Sequence, residues 1–373
     1  MALLFMDSFD HYATSDLTKK WTEVGVNESS GFATAPAIGA YGRNATSGLR
    51  TSMGAPNYVG LPLCVTVTPS DNVCLVGFAF KPSSFAAIAV GPSSAAVFWN
   101  ANWVLSVRMN NSQLWYARLN QDGTISIFRD VSGTGTLLGT TSLALQAGVW
   151  TYIEFRVTVH DSTGTVDVRF NGTPAMTGLT GQNTRGTGAV NTWNAVRVGY
   201  VNAETTPITF DFDDLVVMDG SGSYNNAFLG DVTISALYPD ADGNAHAWVC
   251  STGTPDTGVD HDCVDEALVN DDTDYLSTST VNAKSTFSMQ DVAAGADIRA
   301  VQIVTSQRKG AEGPGKIKHV VRSNTTDYDQ VEQGIAGTSY AFLRTVVETD
   351  PATAAPWLEA AWNAVEIGLK KTG

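Results

Sequence analysis

Two short segments, separated by roughly two hundred residues, constrain this chain more than anything else in it. The first reads Phe5-Met6-Asp7-Ser8-Phe9-Asp10-His11-Tyr12, with Lys19-Lys20-Trp21 soon after. The second, Ile208-Thr-Phe-Asp-Phe-Asp-Asp-Leu-Val-Val-Met218, alternates apolar and acidic residues and runs into Asp219-Gly220-Ser221-Gly222. Between them the pattern is almost entirely one of short alternating strands. A strand at each end of an all-β stretch predicts that the two ends pair in one sheet, which is how a β-sandwich closes its edges.

The strands in between are legible from their period of two. Trp103, Leu105, Val107 and Met109 alternate with Val104, Ser106 and Arg108, which directs one set inward. Leu114–Leu119, Thr124–Phe128, Trp150–Val159, Val166–Phe170 and Val196–Tyr200 continue the series. Asn171-Gly172 supplies the positive φ angles that a tight hairpin needs. No helix and no strict repeat is evident before residue 220. A second β-region is expected over 231–350, with strands at Ser285–Met289, Ile298–Thr305, Ile317–Ser323 and Tyr340–Val347. Tyr224–Asp231 reads as a short connector.

The last segment reads as one amphipathic helix. Pro356 suits a first turn, and Leu358, Ala361, Trp362, Val365 and Leu369 fall on one face at spacings of three and four. The expected fold is therefore mainly β: two jelly-roll-like β-sandwich domains plus one C-terminal amphipathic helix. The domain limits are 1–222 for the first sandwich with an N-terminal arm, 223–230 for a linker, 231–350 for the second sandwich and 351–373 for the helix.

Charge narrows the function. The chain of 373 residues carries 37 acidic and 22 basic residues, a net charge of −15. That sign repels phosphate backbones, so no nucleic-acid partner is expected. Residues 221–373 hold 21 acids and 10 bases, most of the excess, which fits two domains of different character. Ala2–Met6 is apolar but stops at Asp7, too short for a signal core or a span. It reads as a first strand or an inter-subunit arm, and no membrane partner is expected. The chain is expected to be made in the cytoplasm and carried elsewhere only by a larger assembly.

Four cysteines form two local pairs. Cys64 and Cys74 flank a turn, and Cys250 and Cys263 bracket a Gly/Pro/Asp loop. Both spacings permit disulfides without establishing their geometry, and a cytoplasmically made chain more often keeps thiols reduced. Zinc is disfavoured, since no C-x-x-C pair exists and only His261 is near a cysteine.

Here the residues resemble a family. Trp150-Thr-Tyr-Ile-Glu-Phe, then Gly164-Thr-Val-Asp-Val-Arg-Phe-Asn-Gly172, then Phe210-Asp-Phe-Asp-Asp-Leu, resemble the concanavalin A-like (laminin-G-like) jelly roll. The opening Met1–Tyr12, the centre Tyr238-Pro-Asp-Ala-Asp-Gly243 with Asp271-Asp-Thr-Asp-Tyr275, and the end Pro356-Trp-Leu-Glu-Ala-Ala-Trp-Asn363 resemble uncharacterised tailed-bacteriophage virion structural proteins. The resemblance implies a non-enzymatic head-surface decoration, fibre or tail protein, assembled in the host cytoplasm and carried in the virion. It would dock on other capsid or tail proteins and act as a homo-oligomer, with a trimer the expected state. The assembly contacts expected are Leu3, Leu4 and Phe5 of the arm and Trp357, Leu358, Trp362 and Val365 of the helix.

Three chemical readings compete with a purely mechanical one. A host-glycan site would use Trp99, Trp103 and Trp115 with the asparagines among them, against core packing as the bland account. Calcium, the one cofactor considered, would take Asp240, Asp242, Asp271, Asp272 and Asp274, against ordinary turns and a solvated acidic loop. A polysaccharide depolymerase would need a carboxylate pair. Glu154 is isolated, Asp211, Asp213 and Asp214 lack a nearby glutamate, and the five histidines are scattered, so no enzyme is expected.

Overall fold

The computed structural model describes residues 2–25, 33–53, 58–60, 62–86, 88, 103–110, 112–129, 135–186, 190–201, 203–204, 208–251, 260–310 and 315–373. They form two compact units. Unit 1 comprises Met1–Asp10 and Thr14–Ile234, and unit 2 comprises His11–Ala13 and Ser235–Gly373. The chain is mainly β, and no helix among the described residues is long and apolar enough to cross a membrane.

The main strands of unit 1 are β1 (Leu3–Asp7), β2 (Glu23–Val24), β3 (Ala37–Gly39), β4 (Gly48–Met53), β5 (Leu63–Thr66), β6 (Val73–Pro82), β7 (Trp103–Met109) and β8 (Ser112–Leu119). They continue with β9 (Ile125–Arg129), β10 (Thr136–Thr140), β11 (Thr151–Thr158), β12 (Gly164–Phe170), β13 (Thr173–Gln182), β14 (Ala195–Val201) and β15 (Ile208–Met218). Sheet A runs β13-β12-β11-β6-β15-β4-β3, with β1 also on β15, and sheet B runs β10-β9-β8-β7-β14-β5-β2. The expected closure is present: Leu3 pairs with Met218 and Asp7 with Leu215, antiparallel.

The two sheets enclose an aromatic core. Phe210 and Phe212 on β15 pack on Phe80, at 5.9 and 4.9 Å between rings, and Phe78 lies 6.0 Å from Phe155. Trp115 reaches across from sheet B to within 6.3 Å of Phe155. All of these side chains are essentially fully buried. Each such burial stabilises the fold by about 1.5–3 kcal/mol.

Cys64 lies on β5 in sheet B and Cys74 on β6 in sheet A, and both are free thiols. The turn between them is thus a crossing from one sheet to the other, and the hairpin that would set them opposite does not form. Residues 223–230, read as a connector, belong to unit 1, where Leu229 and Gly230 donate backbone N–H bonds to Glu154 Oε1 at 2.7 and 3.0 Å.

Unit 2 is built on β16 (Pro239–His246), β17 (Val249–Cys250), β18 (Leu276–Ser277), β19 (Lys284–Met289), β20 (Val301–Gln307), β21 (Lys316–Ser323), β22 (Thr326–Asp329), β23 (Ala341–Val347) and β24 (Glu366–Lys371). Its main sheet runs β16-β19-β24-β21-β22, and the β20–β23 ribbon packs over it through Ile303, Val321, Val347, Trp357, Trp362, Val365 and Ile367.

The structure does not form the C-terminal helix expected over 351–373. Only Glu359–Trp362 is helical, and Glu366–Lys371 is a strand hydrogen-bonded on both sides, to β19 and β21. Gly368 explains the choice. A Cβ there would lie 2.1 Å from Ser285 O, so glycine admits the neighbouring strand, whereas in a helix it would cost about 1 kcal/mol. The face expected for docking is also reversed: Leu358 is 70% exposed while Trp357, Trp362 and Val365 are buried in the core of unit 2. Leu3 and Phe5 are likewise buried and Leu4 half-buried, because the arm is a strand of sheet A. Apart from the exposed Leu358 and the half-buried Leu4, these side chains are buried within their own unit.

Candidate functional site

The Asp-rich closing strand is the first place to look for chemistry. Asp211, on the face away from the core, receives a bidentate pair from Arg50 at 2.7 and 2.9 Å and Lys81 Nζ at 3.3 Å. Next to it, β15 bulges between Asp213 and Val216, with Asp214 at φ 50°. Asp213 accepts the Arg43 backbone N–H at 2.8 Å, and Asp214 accepts the Ile234 N–H at 2.6 Å and the Arg43 guanidinium. Arg43 also bonds Asp231 and Val232 O and lies 5.5 Å over the Tyr152 ring. Burial and the adjacent Asp214 push Asp213 up to about 7. Asp211 ties β4 and β6 to β15, while Asp213 and Asp214 hold the loop around Arg43 and segment 231–234 onto sheet A. The cluster is architectural.

The opening motif has the same character. Asp7 and Lys20 form a fully buried ion pair at 2.9 Å, Asp7 also accepts the Phe9 N–H at 2.9 Å, and Trp21 packs 5.3 Å from Phe5 and 6.1 Å from Phe9.

Sheet B offers a different surface. Leu105, Val107, Trp115, Ala117, Val196 and Val198 point into the core, so their strand neighbours point away from it. Register aligns Glu23, Cys64, Arg197, Ser106 and Tyr116 in one row across β2, β5, β14, β7 and β8. Arg108 stands two residues along, opposite Ala195 and Gln113. Arg197 is 4% exposed and ion-paired to the half-exposed Glu23. Arg197 Nε and Ser106 Oγ are buried without a hydrogen-bond partner among the described residues. Burial, and then the charge of Arg197, hold the Arg108 guanidinium below the usual arginine range. Burial, then Glu23, raise the Cys64 thiol. Beyond the arginines, Tyr116 stacks on Phe128 at 5.2 Å, and the Arg118 guanidinium lies 4.5 Å over Phe128.

Chemically, this face gathers guanidinium groups beside two stacked rings; Ser106, Arg197, Tyr116 and Phe128 are buried in it, and Arg108 and Arg118 are its half-buried members. That combination suits an anionic, planar-faced ligand. Glu23 is the one carboxylate that register places in it among the described residues, and Arg197 holds it.

The residues expected from sequence fall elsewhere. Trp99 lies outside the described residues, as does the Trp103 side chain, while Trp115 is in the core and cannot meet a glycan. Asp242 accepts the His261 and Asp260 backbone N–H groups at 2.7 and 3.1 Å, capping the short 3-10 turn Asp260–Cys263. Asp272 takes Arg308 and the Tyr340 hydroxyl, Asp271 is a turn residue at φ 52°, and Asp240 is exposed. Among the described residues these carboxylates do not gather into a set of three, and Asp274 groups instead with Cys250 and Cys263. Those two cysteines are disulfide-bonded, with a Cα–Cα distance of 5.9 Å. The arginine face was missed because Arg108 and Arg197 become neighbours only through the pairing of β7 with β14. The signal present in the sequence was their outward position in two alternating strands.

No protein-family model matches the chain, and no curated protein does. Among solved structures it is similar to a cellulose-induced protein, Cip1, at 12% identity over 57% of this chain and 96% of that one, TM-score 0.39. It is similar to the PL-14 alginate lyase from Aplysia kurodai at 11% identity, covering 49% and 86%, TM-score 0.37. It is also similar to lectin I from Ulex europaeus at 10% identity, covering 58% and 97%, TM-score 0.35.

Proposed function

We propose that the chain is a non-enzymatic adhesion module whose unit 1 holds an acidic polysaccharide on the outer face of sheet B. The observation that carries this reading is the Arg108–Arg197 pair beside Ser106 in an otherwise acidic protein. An incoming carboxylate or sulfate at the half-buried Arg108 would relieve the repulsion between the guanidinium groups. A lone, ion-paired glutamate is a poor start for glycoside hydrolysis, which needs two carboxylates across the bond. The further reading, that the module is a structural component of a tailed-phage particle, rests on the sequence resemblance.

The test is binding of the full chain to arrays of neutral, uronic-acid and sulfated polysaccharides. Acid-selective binding that weakens with salt is expected. Arg108→Gln should lower affinity on the order of 10-fold, about 1.4 kcal/mol. Binding confined to neutral glycans, or none at all, would sink the reading. Proteomics of purified phage particles tests the virion part separately.

A further inference from the structure

Unit 2 contains a second cluster that this reading does not use. Cys250 ends β17, Cys263 ends the turn Asp260–Cys263, and Asp274 precedes β18; one ligand atom from each lies within 4.8 Å of the others. The three positions are fixed from different directions. β17 pairs with β18, with Ser251 N donating to Tyr275 O at 2.9 Å and Tyr275 N to Ser251 Oγ at 3.1 Å. Asp242 caps the turn that carries Cys263. Both sulfurs are buried and Asp274 is half-buried.

We propose that, when its disulfide is reduced, the Cys250–Cys263–Asp274 cluster is a binding site for a thiophilic divalent cation, zinc in the first instance. A Cα–Cα distance of 5.9 Å suits a disulfide and equally suits two thiolates on one metal. With Zn–S near 2.3 Å and Zn–O near 2.0 Å, tetrahedral sulfur and oxygen ligands stand about 3.5 Å apart. Cys250 Sγ already lies 3.9 Å from Asp274 Oδ1. Two thiolates and a carboxylate are three negative charges in one spot, so the reduced cluster must take up protons or a cation, and thiolate ligands select soft metals. The fourth position would be filled by water.

The chemistry balances with a reductant of the phosphine class. The disulfide accepts two electrons and two protons to give two thiols, and the phosphine becomes its oxide with an oxygen atom from water. Metal binding then displaces the two thiol protons to solvent.

The test uses the full chain, before and after reduction with a phosphine, titrated anaerobically with Co²⁺ alone. One equivalent should bind to the reduced chain with a thiolate-to-cobalt charge-transfer band that Zn²⁺ abolishes, while the oxidised chain shows none. Asp274→Asn should keep the band but weaken binding on the order of 10-fold, and Cys263→Ser should remove it. The oxidised wild type serves as a control that needs no substitution. A reduced chain without the band, an undiminished band in Cys263→Ser, or a disulfide that the phosphine does not open in the folded protein would each overturn the proposal.

Discussion

Lys20 shows what a single residue can conceal. In sequence it is half of a Lys-Lys pair, the usual mark of a solvated surface. In the structure its ammonium is buried against Asp7 and lies 5.7 Å over the Phe5 ring. Removing one partner of such a pair strands a charge in the interior, at a cost of about 3–5 kcal/mol. Lys20→Met is therefore expected to destabilise unit 1 by that amount in denaturant titration, followed by hydrogen exchange at β1 and β15. Adding Asp7→Asn should recover much of the loss, since Asn can still accept the Phe9 N–H. An unchanged midpoint in the single variant would show that the pair is not buried as described. The aromatic and acidic residues of this motif were readable as a strand end; the ionic partner was not, because nothing local to Lys20 distinguishes it from Lys19. Arg108 and Arg197 were unreadable for the same reason, since a sheet register is a long-range fact.

At the scale of elements, strands were legible and the last element was not. Alternation located β7, β8, β11, β12 and β15 because a half-buried strand writes its two faces directly into the sequence. The segment 357–369 satisfies a helical period as well, and periodicity alone cannot arbitrate a short apolar run. What decides is tertiary: Ile367 and Gly368 complete a sheet whose two neighbouring strands are already in place. Gly368→Val is expected to abolish cooperative folding of unit 2, seen as lost protection at β19 and β21. Within the same segment, Leu358→Ser should change stability by less than about 0.5 kcal/mol, whereas Trp362→Ala should cost about 3–5 kcal/mol. Equal effects of the two would restore the helix reading.

For the molecule as a whole, acidity should pull the two units in opposite directions. In unit 1, Asp213 is pushed up from 3.8 to about 7. Its neutral form is favoured by folding, so this contribution is fully present below about pH 4 and is lost as pH rises through 7. Asp10, Asp214 and Glu154 are raised as well, each chiefly by burial, and act in the same sense. In unit 2, His319 is buried between Thr305 and Thr345, with its ring nitrogens 2.9 and 2.7 Å from their hydroxyls, and burial lowers it from 6.5 to about 4. Folding there favours the uncharged ring, so this contribution is present above pH 6.5 and is lost as pH falls toward 4. Moving from pH 7.5 to 5 should thus stabilise β15 and destabilise β21, by about 2 kcal/mol each. Hydrogen exchange resolves the two directly, since each strand reports its own unit. Asp213→Asn should flatten the first dependence and His319→Gln the second, each leaving the other intact. If both strands moved together with pH, these two buried groups would not be what sets the acid response.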